Sequence, residues 1–134
     1  MMFVAPDIVV TTQDLQRLQA LITRSTSAAV ERLDEELARA RVVAPRELPD
    51  DVVSMNSEVT FEDTLTHVRR RVRLVYPDAA DLTRSWVSVL SPLGAALLGL
   101  RVGQEFDWIL PQGKRRVRVV GVPYQPEANG DFAL

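Results

Sequence analysis

The hydrophobic pattern of this chain changes period near residue 45, and that change limits the fold more than any other feature. Upstream, in TQDLQRLQALITRSTSAAVERLDEELARARV (residues 12–42), apolar residues recur at helical spacing. Leu15, Leu18, Leu21 and Ile22 form one stripe; after a polar gap, Ala29, Val30, Leu33, Leu37 and Ala40 form a second. Thr11 followed by Asp14 reads as a capped N-terminus, and Ser27 can cap the second helix. The hydroxyl-rich stretch Thr23–Ser27 breaks the stripe between them. Two helices this short cannot each bury a stripe alone, so they are expected to fold back on one another as an antiparallel hairpin, a short coiled coil closed by Pro45.

Beyond RELPDD (46–51), which reads as a linker, the period becomes two. In VRRRVRLVY, Val68, Val72, Leu74 and Tyr76 share a face that Arg70 interrupts, while Arg69, Arg71, Arg73 and Val75 share the other. SWVSVLS and KRRVRVVGVPY alternate in the same way, with Val117 and Val119 opposing Arg118, Val120, Val122 and Tyr124. VVSMNSEVTFED reads as a further strand. PQGK (111–114) is a hairpin turn between EFDWIL and RRVRVV, and Tyr76–Pro77–Asp78 ends a strand.

The most apolar run, LSPLGAALLGLRVG (90–103), belongs to neither pattern. Ser91 is placed to cap a helix with Pro92 at its first position, and Leu93, Ala96, Leu97 and Leu100 make a stripe about two turns long. Gly99 and Gly103 then turn the chain into the next strand. The run is far too short to span a membrane. The expected fold is α+β: a helical hairpin (1–45), then a small, mostly antiparallel sheet with one covering helix (46–134).

Chemistry is harder to find. There is no cysteine, which excludes disulfides, thiolate metal sites and a cysteine nucleophile, and which fits a reducing compartment. His67 is the only histidine, and it falls in a polar loop. Ser91 lacks the context of a nucleophile elbow, and capping explains it. The acidic pairs Glu35–Glu36, Asp50–Asp51 and Glu62–Asp63 sit in a helix face, linker and loop, where such pairs are routine. No glycine-rich phosphate loop occurs. No catalytic, cofactor or metal residue is therefore expected. Two basic clusters, Arg69–Arg70–Arg71–Arg73 and Lys114–Arg115–Arg116–Arg118, could meet phosphates. The formal net charge is −2 and aromatics are 6%, so solvated strand faces or a protein-docking surface fit them better than a nucleic-acid platform, and sequence-specific DNA binding is not expected. MMFVAPDIVV lacks a basic segment and a long apolar stretch, so no signal peptide is expected.

Ser91–Pro92, Ala96–Leu97–Leu98–Gly99, Val102–Gly103 and Pro111–Gln112–Gly113 occur in fixed order, and this segment resembles the signature of the bacterial Gre transcript-cleavage factors. ELPDDVVSMNSEVTF (47–61), LVYP (74–77), PLGAALLGLRVG (92–103) and YQPEANGDFAL (124–134), with the short hairpin, are similar to a smaller branch of that family named for an effect on nucleoside diphosphate kinase. The resemblance implies an FKBP-like domain without prolyl isomerase activity, docked on the rim of the RNA polymerase secondary channel, with the hairpin pointing inward. It places the polymerase contact at Leu90, Ser91, Pro92 and Leu93. In the cleavage factors, acids at the hairpin tip help hold catalytic Mg²⁺; here Thr23–Ser27 contains no carboxylate. The reading is a cytoplasmic, monomeric, non-enzymatic regulator that competes with Gre factors, cleaves no transcript and affects nucleoside diphosphate kinase indirectly. The alternatives are a prolyl isomerase using Tyr76, Trp86, Phe106 and Trp108, and a direct protein partner of the kinase.

Overall fold

A clip of two short strands ties the N-terminal helices together at their base. The computed structural model describes residues 8–24 and 27–132. Helix α1 spans Thr12–Thr23 and α2 spans Ala28–Arg39. Both predicted caps form: the Thr11 hydroxyl accepts from the Asp14 amide at 3.0 Å, and the Ser27 hydroxyl accepts from the Val30 amide at 3.2 Å. Pro45 does not end α2, which stops at Arg39. Ala40 is extended, the Arg41 amide donates to the Ile8 carbonyl, and Arg41–Val43 becomes β2, pairing in parallel with β1 (Val9–Thr11). The adjacent β-branched Val42 and Val43 favour strand over helix. β1 leads into α1 and α2 leads into β2, so the strand pair brings the start of one helix beside the end of the other and the helices run antiparallel. Of the expected tip, Ser25 and Thr26 lie outside the described residues.

The segment 46–51 packs against the rest of the chain: Leu48 is buried and Asp51 ion-pairs with Arg101 at 3.3 Å. The expected strand over VVSMNSEVTFED forms only in its second half, β3 (Glu58–Asp63). Asn56 takes a left-handed conformation (φ 67°), which breaks the alternation, and Val52–Ser57 becomes a buried loop held by a hydrogen bond from the Ser54 amide to the Ser57 hydroxyl, 3.0 Å.

The remaining strands are β4 (Arg69–Val75), β5 (Trp86–Ser88), β6 (Glu105–Leu110) and β7 (Gly113–Tyr124), in sheet order β5-β4-β3-β7-β6. All pairs are antiparallel except β4 with β5. Leu110 pairs with Gly113, leaving Pro111–Gln112 as the two-residue turn that PQGK predicts. The β3–β7 register shifts between Glu58 and Phe61, an irregularity that bends the sheet. The inner face carries Val59, Phe61, Val72, Leu74, Phe106, Val117 and Val119, all buried.

Helix α3 (Pro92–Leu97) packs on this face, and α2 packs on α3 in turn. One apolar cluster therefore draws on every layer, from Leu18, Leu33 and Leu37 of the hairpin to Leu97 and Leu98 and on to the strands. Leu100, expected on the helix stripe, lies past its end and is buried all the same. Gly99 has φ 80°, and a Cβ there would stand 2.5 Å from Ile8 Cβ; its carbonyl accepts from the Val9 amide at 3.1 Å. The end of α3 is thus keyed directly to the clip at the base of the hairpin. Among the described residues no helix is long and apolar enough to cross a membrane.

Candidate functional site

The start of α3 is fixed by short-range chemistry. The Ser91 hydroxyl accepts from the Gly94 amide at 3.0 Å and donates to the Ser88 carbonyl at 2.6 Å. Its proton and an acceptor lone pair are both engaged, so Ser91 serves as a cap rather than a free nucleophile. His67 stands on the β3–β4 turn at φ 63°, its Nδ1 3.8 Å from Glu62. Pro92 is exposed and Leu93 is buried, so the helix start offers an apolar edge supported by the core.

Ser91, Pro92 and Leu93 form one wall of an apolar groove of about 470 Å³ along the inner sheet face. Phe61, Val72 and Val87 line it from the sheet, and Trp108–Pro111 form the far wall. Phe61 and Trp108 meet edge to face, with ring centres 5.9 Å apart. Leu82 (89% exposed) and Ile109 (58%) stand at its rim, and Arg70 lies among the apolar side chains. The groove continues past Trp108 and Leu110 towards Val68, which is exposed at the β3–β4 turn and not covered by the core. Leu90, expected with this group, instead lines a separate cleft with Arg17, Leu21, Arg24 and Tyr76 between α1 and the end of β4.

The opposite sheet face is a ladder of ion pairs. Arg69 reaches Glu62 (3.0 Å), Arg71 and Arg73 reach Glu58 (2.6 and 3.5 Å), Arg116 reaches Glu105 and Asp107 (2.9 and 3.2 Å), and Arg118 reaches Glu105 (2.7 Å). The hydrogen bond from Arg71 holds the Glu58 carboxyl below its ordinary range, and those from Arg116 and Arg118 do the same for Glu105. The basic clusters that the sequence displays are therefore largely neutralised by their neighbours. Pairs this exposed are worth little: Arg71→Gln should cost less than about 1 kcal/mol in urea unfolding and leave the fold intact. Among the described residues no carboxylates or histidines converge in the groups of three or more that a metal ion needs.

Comparison with known proteins identifies relatives of this arrangement. The C-terminal model of the transcription elongation factors GreA and GreB matches residues 48–124, and a model of the Rnk N-terminus matches residues 6–43. The chain belongs to the GreA/GreB family, in its Rnk branch. It is 42% identical to the regulator of nucleoside diphosphate kinase of Escherichia coli, over 96% of this chain and 98% of that protein. The solved GreA/GreB elongation factor of Nitrosomonas europaea superposes with a TM-score of 0.78 at 41% identity, covering 89% of this chain and 99% of that one. The transcription inhibitor Gfh1 of Thermus thermophilus is 37% identical over 71% of this chain and 61% of its own length.

In this Rnk-type chain the four aromatics considered for an isomerase pocket are not gathered. Phe106 is buried in the core, Tyr76 lines the cleft beside α1, and Trp86 lies on the ion-pair face, 5.4 Å from the Arg73 guanidinium; of the four, only Trp108 lines the groove. Phe61, which the sequence reading did not single out, completes the groove's aromatic pair. Asp14, which the sequence shows only as part of a helix cap, has a second role. An acid three residues after a cap usually reaches back to the cap's own amide; here its Oδ2 accepts from the Met55 amide at 3.1 Å, across the hairpin–sheet junction. Burial pushes its pKa up to about 6, and the nearby Glu127 carboxylate adds to the rise. The Tyr76 hydroxyl is raised too, chiefly by burial and then by Asp14.

Proposed function

We propose that this Rnk-type member of the GreA/GreB family regulates transcription by binding RNA polymerase at the rim of its secondary channel, through the groove walled by Ser91, Pro92 and Leu93. The observation that carries the reading is the exposed Pro92 on a capped, core-supported helix start at the edge of an open apolar groove. A surface of that kind marks a protein contact. Residues 46–134, read as an FKBP-like module, form the docking part. Residues 1–45 take the place of the Gre coiled coil.

The same chain is a poor cleavage factor. Two helices of 12 residues each reach only about 18 Å. Thr23–Ser27 carries no carboxylate, and the next acid along is Glu31, inside α2. The protein would occupy the channel rim without supplying groups for Mg²⁺, so it competes with cleavage factors and leaves backtracked transcripts uncut. Its effect on nucleoside diphosphate kinase follows indirectly, from transcription in the cytoplasm, and the working unit is a monomer.

The test is equilibrium binding of the full chain to purified core RNA polymerase, with a cleavage factor as competitor. Wild-type protein should bind and displace the competitor, Pro92→Glu should bind at least about tenfold more weakly for loss of a central apolar contact, and no transcript cleavage should be stimulated. No binding at micromolar concentration would sink the polymerase reading, and capture of the kinase instead would establish the direct-partner alternative.

A further inference from the structure

The arginines of the five-stranded sheet follow a rule that one of them breaks. Arg69, Arg71, Arg73, Arg116 and Arg118 each meet a carboxylate, and Arg115 pairs with Asp63 at 2.9 Å. Arg70 pairs across the sheet with Phe61, which puts it on the apolar face. Among the described residues no ion pair, side-chain hydrogen bond or ring contact engages its guanidinium. It is exposed, and it lines both halves of the groove beside Phe61 and Trp108. Since Asp63 and Arg115 neutralise each other, the groove carries a net charge of about +1 at Arg70 amid apolar walls.

We propose that Arg70 is the specificity contact of the groove, pairing with a carboxylate on an otherwise apolar segment of RNA polymerase. The inference rests on the polymerase reading and names the chemistry of the partner segment. Closing the groove strips water from the guanidinium, and a segment without an anion leaves it desolvated and unpaired. A segment with one carboxylate among aliphatic side chains gains charge-assisted hydrogen bonds and loses no apolar contact. RNA suits the groove less well. Phosphates want a row of cations, and those on the other face are already engaged by acids; Phe61 is buried, which leaves Trp108 as a single stacking surface rather than a platform.

The experiment measures the affinity of the full chain for core RNA polymerase at low and moderate salt, comparing wild type, Arg70→Gln, Arg70→Glu and the ladder control Arg71→Gln. Thermal melts confirm that each variant folds. Arg70→Gln should weaken binding by roughly tenfold and flatten its salt dependence, Arg70→Glu should weaken it further, and Arg71→Gln should stay within about twofold. If both Arg70 variants bind like wild type while Pro92→Glu does not, the proposal is overturned and the polymerase reading stands. If wild type fails to bind at all, both fall together. Binding of a single-stranded RNA oligonucleotide that is lost in Arg70→Gln would also overturn it, in favour of a nucleic-acid groove.

Discussion

Gly94→Ala should destabilise the protein by at least about 3 kcal/mol, enough to lower its melting temperature by roughly ten degrees. A Cβ built at Gly94 stands 2.0 Å from the Ser88 carbonyl oxygen, 2.8 Å from its carbon and 3.0 Å from Val89 Cα. All three are backbone atoms, so no side chain can swing aside. Nor can Ser88 retreat freely, because its carbonyl oxygen accepts from both the amide and the hydroxyl of Ser91. The first turn of α3 must therefore lift off the sheet, and Leu93 and Leu97 lose packing with it. Urea unfolding gives the measurement, with Gly121→Ala as control. A Cβ at Gly121 meets nothing within 4 Å, so that change should be close to neutral. Equal midpoints for the two variants would show that α3 does not press on Ser88 as closely as described. Because the same turn carries Pro92, a folded Gly94→Ala protein should also lose polymerase affinity.

Much of this fold is legible in the sequence where a period runs long enough to be seen. The two stripes, both caps, the Pro111–Gln112 turn and the Ser91–Pro92 helix start follow from local chemistry that tertiary packing then reinforces. The clip of β1 and β2 does not: three residues cannot display a period, and Arg41–Val43 continues the helical spacing until the partner strand is in place. Asn56 hides the boundary of β3 because its left-handed turn depends on the Ser54–Ser57 bond and on the Leu74 carbonyl, which accepts from the Asn56 amide. The groove was half legible. Its Pro92 wall follows from the helix start, and Arg70 is visible as the interruption of an apolar face. That the neighbouring arginines are paired while Arg70 is not depends on cross-strand register, which no single segment encodes.

The protein should also be more stable near pH 5 than at pH 7, and Asp14 is the reason. The residue is 4% exposed; burial raises its pKa from 3.8 to about 6, Glu127 pushes the same way, and the Met55 amide and Arg17 only partly oppose them. The native state thus holds this proton more tightly than the unfolded chain does. The contribution is fully present below about pH 4 and is lost as pH rises through about 6, a loss on the order of 3 kcal/mol. The sheet-face carboxylates have the opposite sign. Glu58, Glu62 and Glu105 are held low by arginines, so their modest contribution is present at neutral pH and fades in acid. The two trends together put the maximum between them. Asp14→Asn separates the causes, since its side-chain oxygen can still accept from Met55 while the buried charge is gone: it should flatten the profile above about pH 4 and match or exceed wild type at pH 7. Asp14→Leu also removes the charge but leaves the Met55 amide unpaired inside the junction, and it should be less stable than the asparagine variant at every pH. If wild type gains stability steadily from pH 5 to pH 7, and Asp14→Asn is the weaker protein at pH 7, then the carboxylate is ionised in the native state and Arg17, rather than burial, sets its charge.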